Sequence, residues 1–316
     1  MNTLPANPRV LVAGLVLLGA AALALGGCGL GAGPAPTATQ LLVTRDFGAR
    51  VLYRSGAPRV SGQETVMSLL ERNQGVSTRF GGGFVQSIDG LSGGQEAGGP
   101  VDWFYYVNGV EAPKGAAATN VHPGDHIWWD RHDWSQTEDV PAVVGSFPEP
   151  FVNGLGGKRY PVRVECASVA GYACSTVTQR LRALGVPAAI AAIGSGGEPE
   201  TLRVLVGPWG SVAAEAAPAS IARGPRSSGV YARFSANGGT LALLDQSGRT
   251  VDTLTAGAGL IAATREGEDA PVWVVTGTDA AGVELAARAF DQGTLEHRFA
   301  VALAPSASIP VPIGGS

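Results

Sequence analysis

The sequence predicts an α+β protein of two domains: a small sheet with one helix, then an α/β sandwich with a mixed sheet. Three observations carry this expectation. Between Asp102 and Trp134 lie four of the six tryptophans and three of the four histidines, in aromatic and β-branched runs that read as two strands. Beyond Thr137–Pro150, which holds three prolines and a charge cluster, strand patterns alternate with helical ones. A chain of 316 residues with 45% hydrophobic and 15% charged content can bury cores for two domains.

The N-terminus comes first in chain order. Arg9 precedes an apolar run from Val10 to Leu25, and Leu25-Gly26-Gly27-Cys28 follows, with small residues just before a cysteine. The run is shorter than the ~20 residues that cross a bilayer. The stretch resembles a bacterial lipoprotein signal with its lipobox. The resemblance implies that residues 1–28 are a signal peptide and that Cys28, acylated through its sulfur, becomes the mature N-terminus. Two or more acyl chains, at about 0.8 kcal/mol per buried methylene, would anchor the protein on the outer face of the cell membrane. Residues 29–40, rich in Gly, Pro, Ala and Thr, read as a flexible tether.

The first domain is expected over residues 41–136. Leu41–Thr44 and Arg50–Tyr53 read as strands. Ser61–Gln74 reads as a helix that Ser61 and Glu64 cap at its start, with Val66, Leu69 and Leu70 as an apolar stripe for the sheet. Val76–Phe80 and Phe84–Ile88 read as short strands around Gly81-Gly82-Gly83, a bulge or tight hairpin. Asp102–Val107 ends at Asn108-Gly109, and His126–Trp134 resumes after Pro123-Gly124-Asp125. Strand alternation puts Trp103, Tyr105 and Val107 opposite Asp102, Phe104 and Tyr106. It likewise puts Ile127, Trp129 and Arg131 opposite His126, Trp128, Asp130, His132 and Trp134. A sheet packed on one side needs only one of these faces, so the other is expected to show Trp128, Trp134 and two histidines to solvent.

The run GGGFVQSIDGL, then DWFYYVNGV, then Gly124-Asp125 with IWW resembles a family of bacterial extracytoplasmic domains of unassigned function, related to the C-terminal domain of transcobalamin and intrinsic factor. The resemblance covers roughly Leu41–Trp134. It implies a β-grasp-like sheet with one helix, and it makes cobalamin, or another flat molecule, a candidate ligand. The expected binding residues are Trp103, Tyr105, Tyr106, Asn108, Trp128, His132 and Trp134.

Residues 137–150 are expected to link the domains, residues 151–303 to form the α/β domain, and residues 304–316 to be a disordered tail. The second domain reads as strands at 160–165, 202–206, 229–234, 240–244, 259–264, 272–276 and 298–302. Its helices are expected at 176–184, 211–222 with a break near Pro218, and 280–290. With Cys28 lipidated, Cys166 and Cys174 are the two thiols left, and in an oxidising compartment their simplest pairing is a disulfide. Val206-Gly207-Pro208-Trp209 and Thr276-Gly277-Thr278-Asp279 each lead from a strand to a helix. Ligands can bind at such places, but neither loop carries a complete binding fingerprint, and Thr278 or Asp279 is expected to be a helix cap.

A net charge of −4 without a Lys/Arg cluster argues against nucleic-acid binding. His126, Asp130 and His132 share a strand face, but residues four apart on a strand lie ~13 Å from each other, so solvated polar residues are expected there and no metal site. No nucleophile–base set or acid/base pair stands out, and neither an enzyme nor a required cofactor is expected. The expected function is that of a membrane-anchored binding lipoprotein. It would capture a small flat or apolar solute, with cobalamin a candidate, and pass it to a membrane transporter. The alternative is an envelope protein that turns the same aromatic face toward another protein or a glycan.

Overall fold

The first strands form where expected, β1 buried along most of its length and β2 largely exposed. In the computed structural model, which describes residues 38–55, 63–80, 83–96, 98–196 and 198–314, β1 (Gln40–Arg45) and β2 (Arg50–Arg54) form an antiparallel hairpin. The predicted signal, Cys28 and most of the tether lie outside the described residues. Helix α1 (Val66–Asn73) starts later than expected. Thr65 caps it in a reciprocal pair with Ser68, while Glu64 pairs with Arg72 at 2.8 Å and Ser61 lies outside the described residues.

Next come β3 (Val76–Arg79), β4 (Phe84–Ile88) and β5 (Leu91–Ser92), a small antiparallel sheet. Then β6 (Gly94–Glu96), β7 (Gly99–Val107), β8 (Val110–Glu111) and β9 (His126–Asp133) complete the first large sheet, in the order β2-β1-β9-β7-β6, with β8 paired to β7. Strand β9 runs parallel to β1 and antiparallel to β7, with Tyr105 opposite Trp129 and Tyr106 opposite Trp128.

The C-terminal half begins with β10 (Val162–Cys166), α2 (Tyr172–Ala183), β11 (Ala188–Ala192) and β12 (Leu202–Pro208). Three short helices follow: α3 (Trp209–Val212), α4 (Ala216–Ala222) and α5 (Pro225–Ser228). Pro218 does not break the chain, because it is the third residue of α4, where the backbone has no intrahelical N–H bond to lose. A small antiparallel sheet of β13 (Ala232–Phe234), β14 (Leu241–Leu244) and β15 (Thr250–Leu254) precedes β16 (Gly259–Thr264) and β17 (Val272–Gly277). The chain then forms α6 (Ala280–Arg288), α7 (Gln292–Leu295), β18 (Ala300–Ala304) and β19 (Ala307–Val311).

The second large sheet has the order β11-β10-β12-β17-β16-β18-β19, parallel through β17 and antiparallel after it, so the fold is α+β with mixed sheets. Asp279 caps α6 by accepting from the Gly282 amide at 2.9 Å. Cys166 and Cys174 are disulfide-bonded across a Cα separation of 5.8 Å, tying the end of β10 to the first turn of α2.

Three hydrophobic clusters organise the described residues. One packs α2 and α6 on the second sheet through Val164, Val177, Leu181, Val204, Val283 and Ala286. Another packs α1 on the first sheet through Leu41, Val43, Leu69, Leu70, Ile127 and Trp129. The third joins the two halves, bringing Leu42, Tyr106 and Trp128 of the first sheet against Tyr231, Leu260, Val274 and Phe299.

Two expectations fail at this seam. The stretch 137–150 does not cross solvent as a linker, since Val140, Ala142, Val143, Val144 and Phe147 are buried and the Val144 amide donates to the Phe299 carbonyl at 3.1 Å. The tail does not trail away either, because β19 pairs with β18 and Val311 is buried. The first segment buries valine and phenylalanine and the tail buries Val311, and Pro310 is tolerated because β19 is the edge strand of its sheet.

Candidate functional site

The aromatic stretch is divided by the two-residue period of β7 and β9 into two unlike faces. On one face lie Tyr106, Trp128, Asp130 and His132, all buried. The fully buried Asp130 carboxylate is the hub. It accepts from the Phe47 amide at 3.1 Å, the Gly48 amide at 2.8 Å and the Thr44 hydroxyl, and it meets Nδ1 of His132 at 2.8 Å. Trp128 donates its indole N–H to Thr44 Oγ1 at 2.7 Å. The His132 ring lies between Phe47 and Phe104, with both centroids at 4.5 Å. From the far half Phe299 sets its edge against Tyr106, Trp128 and His132 at 5.6, 5.3 and 5.4 Å.

The expected solvent face of Trp128 and the histidines is therefore corrected. It is the wall that the C-terminal half covers, and Tyr106, Trp128 and His132 are core. The solvated polar cluster is corrected with it, because His126, Asp130, His132 and Asp133 are all buried. Among the described residues no three His, Cys, Asp or Glu side chains converge on a point that could hold a metal.

Asn108 is structural as well. It adopts a φ of 53° at the tip of the turn, donates to Asp125 Oδ1 at 2.8 Å and to the Gly154 carbonyl at 2.7 Å, and accepts from the His126 amide at 2.8 Å. Asp125 also accepts from the His122 amide at 2.8 Å, so the Asn-Gly and Gly-Asp motifs bolt two turns together. Burial raises the Asp125 carboxyl above its ordinary range, against the hydrogen bonds from His122 and Asn108. Trp134 stands apart, half-buried beyond the end of β9, beside Pro100 and Arg226 in an open groove.

The other face carries Trp103, Tyr105 and Trp129. These three line a cleft of about 190 Å³, together with Gly83, Phe84, Ala112 and Ala116. Tyr105 and Trp129 stack at 4.8 Å with an interplanar angle of 27°. Trp103 donates to the Leu91 carbonyl at 3.0 Å, and the Tyr105 hydroxyl is held by the Lys114 carbonyl at 2.5 Å and Thr119 Oγ1 at 2.8 Å. Burial keeps that phenol above its ordinary pKa, and hence neutral. The indole N–H of Trp129, itself buried, has no hydrogen-bond partner among the described residues. Beside the cleft, Phe80 is 88% exposed and meets the Phe84 ring edge-on at 6.4 Å.

Of the seven expected binding residues, the cleft thus gathers Trp103 and Tyr105. It adds Trp129, which the IWW motif contains but does not distinguish from Trp128, and which the register of β7 and β9 sets opposite Tyr105. Sequence reasoning also missed a pocket of about 110 Å³ at the seam, where Ser146 Oγ lies 2.8 Å from His126 Nδ1. Burial, aided by His297 and Arg54, lowers the His126 pKa to about 3, so this imidazole is neutral and a weak base. In the same pocket burial raises Glu149 to about 7, against hydrogen bonds from Asn153.

No curated protein matches the chain. A family model described as a domain of unknown function, DUF4430, matches residues 63–133, a span that holds every residue of the aromatic cleft, and the chain thus contains a DUF4430 domain.

Proposed function

We propose that the protein is a membrane-anchored extracytoplasmic binding lipoprotein, held by an acylated Cys28, that captures a small flat or apolar solute between Trp103, Tyr105 and Trp129 and hands it to a membrane transporter. The observation that carries this reading is the cleft itself, lined by Trp103, Tyr105 and Trp129, with the last two rings stacked at 4.8 Å. A flat ligand there would pack against aromatic surface that the fold leaves uncovered.

The cleft of about 190 Å³ suits a single ring system, and a corrin macrocycle would meet it only by an edge. The reading also rests on the lipobox resemblance and on taking the first sheet with α1 as β-grasp-like, as the resemblance to the transcobalamin C-terminal domain implies. The second half is then an α/β sandwich that covers the opposite face of that sheet.

The test is a titration of the protein with planar heteroaromatics of one or two rings and with cobalamin, followed by tryptophan fluorescence. Saturable quenching by a small heteroaromatic, weakened about tenfold or more in Trp129→Phe, is the expected result. Unchanged fluorescence with every probe sinks the capture reading. The envelope-interaction reading is favoured by Phe80, 88% exposed next to the cleft, and loss of a cross-linked envelope partner in Phe80→Ala would support it.

A further inference from the structure

We propose that a second cleft, in the C-terminal half, binds a small zwitterion of the amino-acid class. This cleft, of about 200 Å³, lies between the start of β12, helix α4 and the turn after β16. Its floor is rigid. Arg203 makes a two-pronged pair with Glu165 at 2.7 and 2.7 Å and reaches Glu215 at 2.7 Å, so its guanidinium is already committed. Burial alone would raise the Glu165 carboxyl, but Arg203 and Arg163 hold it below its ordinary range.

Around that floor stand Arg223 and Arg265 together with Glu198, Glu266 and Asp269. None of these five forms an ion pair among the described residues, although both signs line one concavity. Arg265 is the informative member. It is half-buried, and its hydrogen bond among the described residues is a 3.5 Å contact with the Glu111 carbonyl. Burial pulls its pKa down, against the attraction of Glu111 and Glu268. A guanidinium withdrawn from water in this way is stabilised by a carboxylate that can take its fork.

Arg223 and Arg265, without an ion pair among the described residues, would by themselves describe a site for simple anions. The three carboxylates repel such a ligand and suit one that carries an ammonium as well. Pro199, Ala217, Ala270 and Val272 add an aliphatic wall of side-chain size. An α-amino acid meets all three demands: carboxylate to Arg265, ammonium to the Asp269 and Glu198 side, and a small aliphatic side chain to Ala217 and Val272.

Calorimetric titration of the full chain with L-valine tests the proposal, with isovalerate lacking the ammonium and valinamide lacking the carboxylate as comparison ligands. The expected result is saturable L-valine binding, with both comparison ligands roughly ten- to hundredfold weaker. Arg265→Gln and Asp269→Asn should weaken L-valine by a similar factor while circular dichroism and Tm stay unchanged, and Trp129→Phe should leave L-valine binding as it is. Absence of saturable binding by L-valine and L-leucine overturns the proposal. So does isovalerate binding as tightly as L-valine, since the acidic side of the cleft then reads nothing. The ligand comparison needs no variant, so a misfolded variant does not blunt it.

Discussion

Trp128 and Trp129 are neighbours on one strand, fully or almost fully buried, and they do opposite things. Trp128 faces the C-terminal half, its N–H satisfied by Thr44 at 2.7 Å and its ring edged by Phe299. Trp129 faces α1, stacks on Tyr105 beside a cleft and leaves its N–H without an acceptor among the described residues. Both faces of this sheet are rich in aromatic residues. What separates them is cover: Phe299 packs its edge against Trp128 on one face, while a cleft stays open along Trp129 on the other.

The comparison can be broken most forcefully at Asp130. Asp130→Ala leaves His132, the Thr44 hydroxyl and two amides without their common acceptor inside the closed face. The expected loss is about 3–5 kcal/mol in chemical denaturation. A loss under about 1 kcal/mol would show that the seam is not held as described.

Next in size is a pH effect from two carboxyls, Glu111 and Glu149, that burial keeps from ionising. Burial raises Glu111 and Glu149 from 4.5 to about 7, Asp139 assisting at Glu111, where Val140 and Arg265 oppose it. Because the folded values lie above the unfolded ones, this stabilisation is fully present below the unfolded value of 4.5 and is lost as pH rises through about 7. Thermal melts from about pH 5 to pH 8 should show Tm falling, and the fall should shrink in Glu111→Gln.

The tryptophan pair sharpens the contrast. Trp128→Phe removes a satisfied donor and should cost about 1–3 kcal/mol, measured by denaturant midpoint. Trp129→Phe removes an unsatisfied donor and should cost under about 1 kcal/mol, its effect falling on ligand affinity instead. Equal destabilisation of the two variants would erase the distinction between the faces.

Much of the secondary structure was legible because it rests on local periods. The strands at 84–88, 126–133 and 259–264 and the capped helix at Ala280 appear where alternation, apolar runs and Asp279 place them. Strand β11, Ala-Ala-Ile-Ala-Ala, was not legible, since alanine has little strand preference and the parallel ladder with β10 imposes the conformation. Strand β19 was hidden by its serines and proline, and only the partner β18 orders it.

In the candidate site, the grouping of Trp103 with Tyr105 followed from alternation, whereas the assignment of Trp128 and His132 to solvent did not hold. The sequence by itself determined which side chains share a face, that Cys166 and Cys174 would pair, and that strands and helices would build an α+β chain with mixed sheets. Only the tertiary structure decided which face is closed and where a cleft remains. Side-chain alternation is a property of a few consecutive residues. Coverage, by contrast, depends on contacts such as Trp128 with Phe299, between residues far apart in the chain and related by no local rule.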